Sequence, residues 1–104
     1  MIVQLSADAA RVAEPDDCTS LHVATALPAD AVDAALRGTG TGHLQTDDAL
    51  LDVETLRTRA RAGADAPDWD ERWAKMIDYA RSKGWLTADD AAVRAHVEYD
   101  GGRA

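Results

Sequence analysis

The chain has 104 residues, 46% hydrophobic and 29% charged, with a net charge of −8. That is the size of one domain, and acidic side chains outnumber basic ones by 19 to 11. Direct binding to nucleic acid or to an anionic membrane surface is therefore not expected, because both need Lys and Arg to neutralise phosphates. One cysteine, Cys18, cannot close an internal disulfide, and no apolar run approaches the roughly 20 residues that span a bilayer. The Ile2–Leu5 run ends at once in Ser6-Ala7-Asp8, too short for the apolar part of a secretion signal. A reducing cytoplasm is the expected location.

Residues 1–5 read as a short extended segment. After Ser6 two readings stand: a brief helix over 7–13 stopped by Pro15, or extended chain over 11–13. Asp16-Asp17-Cys18-Thr19 is turn-like. Residues 20–26 alternate, Leu21, Val23 and Thr25 pointing one way and His22, Ala24 and Ala26 the other, which predicts a strand. Pro28 suits the first turn of a helix running to Arg37, with Val32, Ala35 and Leu36 inward and Gly38 ending it. Two short strands follow, 42–45 and 49–52, as a hairpin with Leu44 and Leu51 inward. Asp52 is placed to cap a second helix with Val53, Leu56 and Ala60 on its apolar face, and residues 63–67 make a joint.

Residues 68–85 carry the strongest helix signal and all three tryptophans. Trp69, Trp73, Met76, Ile77 and Ala80 share one helical face, which reads as core rather than as a ligand groove. With no Phe in the chain, the tryptophans must supply an unusual share of that core. Asp68 and Glu71 have capping-box spacing, Gly84 is a left-handed stop, and Trp85-Leu86 are expected to return to the core. After a turn at 87–90, residues 92–99 alternate again. Val93, Ala95, Val97 and Tyr99 fall on one face, and Arg94, His96 and Glu98 on the other. Residues 100–104 read as a frayed tail.

From Ser20 onward the order is β-α-β-β-α-β, with the second helix broken at 63–67. This predicts a single α+β domain in the ferredoxin-like arrangement, a four-stranded antiparallel sheet with its helices on one face and an N-terminal extended segment added. A looser α+β fold with an incompletely paired hairpin is the alternative. In the ferredoxin-like order the first and last strands are adjacent and antiparallel. His22 and His96, both on the polar parity, would then meet on the helix-free side.

There His22, His96 and Glu98 are the candidate catalytic residues. Two imidazoles beside a carboxylate could perform acid–base chemistry near neutral pH or bind a divalent metal, and Glu98 would orient one of them. Arg94 and His43 are candidate ligand contacts, Arg94 holding an anionic group and His43 at the rim beside the glycine-rich loop at 38–42, with Gln45 on the same side. The plainer reading is a row of half-exposed polar residues on a solvated face or at a dimer contact. No HExxH or CxxC pattern is present, so no metal or other cofactor is expected. The 38–42 loop follows a helix and precedes a strand, the wrong order for a phosphate cradle. Cys18 lies beside Asp16 and Asp17, which oppose thiolate formation.

With no catalytic motif, the first functional expectation is a small acidic protein that acts by binding, as a homodimer or as an accessory subunit of a larger complex. The last strand, at a sheet edge in the expected topology, would pair edge to edge, or two open sheet faces would stack, to bury that surface. A small-molecule enzyme or ligand-binding protein using the open sheet face is the second expectation. An acidic mimic of nucleic acid is the third.

Overall fold

The computed structural model describes residues 1–99; the tail expected at 100–104 lies outside them. The described residues form six strands and three helices in the order β1 (Ile2–Leu5), β2 (Ala10–Ala13), β3 (His22–Thr25), α1 (Ala29–Gly38), β4 (Gly42–Gln45), β5 (Asp48–Asp52), α2 (Val53–Gly63), α3 (Trp69–Ser82) and β6 (Ala92–Tyr99). All six strands join one sheet in the order β2-β1-β3-β6-β5-β4. The extended alternative for residues 11–13 is the one adopted, with Val12 opposite Val3 in an antiparallel hairpin.

The α+β class and the element order stand, but the four-stranded antiparallel ferredoxin-like sheet does not. β6 runs parallel to β3, with Val23 opposite Val97, and antiparallel to β5. The cause lies in residues 63–67. The break separates two helices rather than bending one, and Arg57 and Arg61 of α2 both reach Asp70 of α3, at 3.6 and 3.8 Å, as the chain doubles back. That reversal turns β6 to the direction of β3. It also places β6 inside the sheet, between β3 and β5, rather than at the edge expected of it. The edges are β2 and β4.

The core lies between the sheet and the helices. Strand residues Val3, Val23, Leu51, Val93 and Ala95 meet Val32 and Leu36 of α1, Leu56 and Ala60 of α2, and Trp69, Trp73 and Ala80 of α3 in one buried cluster. Trp69 and Trp73 stack with ring centroids 5.5 Å apart in the core, but the expectation of a wholly core stripe holds only in part, since Met76 and Ile77 are half-buried and, with Ala80, line a pocket. The Trp69 indole N–H donates to the Pro15 carbonyl at 2.7 Å. Asp16 accepts from the backbone N–H groups of Asp65 and Ala66, which ties the segment after β2 to the α2–α3 joint.

Local signals were mostly realised. The Asp52 carboxylate accepts from the Thr55 N–H at 2.9 Å and caps α2, and Gly84 stops α3 at φ +75°. Three details differ. Asp68 does not cap α3 with its side chain but pairs with Arg72 at 3.0 Å, which is one turn along the helix. Gly38 is the last residue of α1, and the left-handed position is Gly40, at φ +70°. Trp85 stays 37% exposed, while Leu86 alone packs against the core.

Candidate functional site

Alternation along β3 and β6 sends Val23, Val93 and Ala95 into the core and leaves His22, Arg94, His96 and Glu98 on the opposite face. The Val23–Val97 register, continued back one residue, sets His22 beside His96. Parity alone decides which face a residue takes, so the residues meet as expected even though the strands run parallel. The two imidazoles stack with centroids 5.4 Å apart and planes 21° from parallel.

Both rings converge on one carboxylate. His96 Nε2 lies 2.9 Å from one Glu98 oxygen, and His22 Nε2 lies 3.3 Å from the other. The His96 hydrogen bond, reinforced by the nearby His22 ring, holds the Glu98 carboxyl below its ordinary range. An ionised carboxylate only accepts, so the hydrogen shared by His96 and Glu98 belongs to the His96 Nε2. In the neutral His96 ring Nδ1 is then the free acceptor. His22 is the more sheltered of the two, with its side chain 20% exposed against 59% for His96. Among the described residues no group of three His, Cys, Asp or Glu side chains has the geometry to hold a metal ion.

His96 also lines a pocket of about 510 Å³ that opens where β6 changes partners. On the edge away from β5, β6 bridges Leu86 at Val93 and pairs with β3 only from Val97. The Arg94 N–H donates to the Trp85 carbonyl on that edge at 2.7 Å, and strand alternation points the His96 N–H the same way. The gap between these partners is the pocket. Leu21, Met76, Ile77, Ala80 and Ala95 form its apolar lining. Tyr79 and Trp85, edge to face at 5.8 Å, stand at its mouth, with the Lys83 ammonium 5.4 Å from the Tyr79 ring centre. Its polar lining is Asp48, Arg94 and His96, which neighbour one another on β5 and β6, with Thr19 and Ser20. Asp48 lies directly across from His96 in the β5–β6 register and pairs with Arg94 at 3.8 Å. The volume falls within the range of small-molecule sites.

The structure therefore brings His22, His96 and Glu98 together and puts Arg94 on the same pocket as His96. His43 is left out. It sits on β4 opposite Leu50, with all of β5 between it and β6. The glycine-rich loop does not fold over this face either. Arg59 holds it from α2, donating to the Thr39 carbonyl at 2.6 Å and to the Thr41 hydroxyl at 2.8 Å. Cys18 does not join the site, and burial pushes its thiol further up. Sequence reading missed Trp85, Ile77 and Leu21 as pocket residues. Their signal was apolar character, and the sheet gap that exposes them depends on which strand β6 pairs with.

Comparison with protein-family models, with curated proteins and with solved structures found no match to this chain.

Proposed function

We propose that this protein binds a small molecule in the pocket at the break in the sheet, with His96 as its acid–base contact and Glu98 and His22 as positioning residues. The observation that carries this reading is that His96, which lines an apolar pocket, is held by Glu98, on which the His22 ring also converges. Such a pair holds His96 in one tautomer and keeps a proton acceptor at the pocket rim. Arg94 lines the same pocket, though Asp48 already occupies part of its charge. Ligand binding is thus favoured here over the expectation of action through a protein partner alone.

Native mass spectrometry of untagged protein tests this proposal. A retained small molecule that Ile77→Trp excludes by filling the pocket supports it. A ligand retained equally by wild type and Ile77→Trp would place binding elsewhere and sink it.

A second reading has its own support. β2 is an edge strand, pairing with β1 alone, and strand addition there would join two copies. It replaces the edge-to-edge dimer expected through β6, which is interior. Light scattering would show a dimer that Val12→Pro or Arg11→Pro dissolves; a monomer at high concentration removes this reading.

A further inference from the structure

We infer that the pocket takes a neutral aromatic molecule carrying a weakly acidic hydroxyl, of the phenol or naphthol class, whose O–H donates to His96 Nδ1. This rests on the pocket being the binding site. The body of the ligand follows from the walls. Leu21, Ile77, Ala80 and Ala95 offer no hydrogen-bonding side chains, and the Tyr79–Trp85 pair supplies aromatic surface at the mouth, Tyr79 being 56% exposed. A flat ring suits that surface through offset or edge-to-face packing.

The head group follows from the polar lining. Glu98 takes the His96 Nε2 hydrogen, which leaves Nδ1 as the acceptor of the neutral ring, and we take a ligand donor to complete it. A full anion is disfavoured there, because Asp48 lies across from His96 and already partners the Arg94 guanidinium, with Glu98 just beyond. A cation finds no free carboxylate either, because Asp48 is paired with Arg94 and Glu98 with the two imidazoles. A neutral hydroxyl avoids both costs, and Arg94 favours the partial negative charge the oxygen gains as it donates.

Calorimetric titration with three probes tests the claim. The probes are 2-naphthol, its methyl ether 2-methoxynaphthalene, which lacks the donor, and 2-naphthoate, which is anionic. The expected order is 2-naphthol tightest, with the ether about three- to tenfold weaker, the size of one net hydrogen bond. His96→Ala, at an exposed position and checked for an intact fold by circular dichroism, should bring the naphthol-to-ether ratio close to one. An ether that binds as tightly as naphthol, a naphthoate that binds tighter, or a preference that survives His96→Ala overturns the assignment of ligand class while leaving the pocket standing. If none of the three binds the folded wild type, or Ile77→Trp binds them unchanged, the pocket itself is refuted.

Discussion

At the scale of single residues, Glu98 is the group whose chemistry is most constrained. Its carboxyl is held below the ordinary range first by the His96 hydrogen bond and then by His22. A lowered folded pKa means that the fold favours the ionised form. The pairing therefore stabilises the protein above the ordinary carboxylate range and is lost as pH falls through the lowered value. Because Glu98 is half exposed the effect on stability is slight, so the titration itself is the better readout. Carbonyl-detected NMR should find the Glu98 midpoint below that of an ordinary glutamate and moving up in His96→Ala. An ordinary midpoint in the wild type would mean that the triad does not form in solution. Gly42 is constrained for a steric reason. A Cβ there would collide with the backbone carbonyl of Leu50 on the paired strand. Gly42→Ala should cost on the order of 1–3 kcal/mol in denaturant unfolding. A change within experimental error would show that β4 and β5 separate easily at that point.

Elements differ in how far their residues announce them. β6 was legible because seven positions, Val93 to Tyr99, alternate in polarity, although Tyr99 itself ends 41% exposed, and α1 because Val32, Ala35 and Leu36 repeat at helical spacing. The Asp52 cap was legible because the cap is a local contact, and Asp52→Ala should cost about 1 kcal/mol of stability by chemical denaturation. An unchanged midpoint would mean that water or Thr55 substitutes for it. The anchoring of α3 was not legible. The indole of Trp69 reaches the Pro15 carbonyl across 54 positions of chain, and no local pattern encodes such a partner. Trp69 is 1% exposed, and Trp69→Ala should cost about 3–5 kcal/mol. For a domain whose total stability is about 5–15 kcal/mol, that loss approaches unfolding. Trp69→Phe, which keeps most of the packing and loses the hydrogen bond, should cost less by thermal melting. Equal losses in the two variants would assign the effect to the N–H alone.

For the whole molecule, one reversal of the chain decides the topology and with it the pocket. Read as one broken helix, α2 and α3 lead to an antiparallel β6; as two helices they deliver β6 parallel to β3, and β6 then changes partners from Leu86 to β3 along one edge. The face carrying His22, His96 and Glu98 could be read from parity because parity does not depend on strand direction. The gap that forms the pocket could not, since it depends on pairing between segments far apart in the chain. The same logic removed His43, which parity put on the right face but strand order put too far away. An amide correlation spectrum of labelled protein, titrated with a set of small aromatic hydroxyl compounds, tests this account most directly. It predicts shifts that converge on Leu21, Ala95, His96 and the Trp85 indole N–H. Compounds that leave these signals still while moving those of β2 or of other surfaces would contradict it.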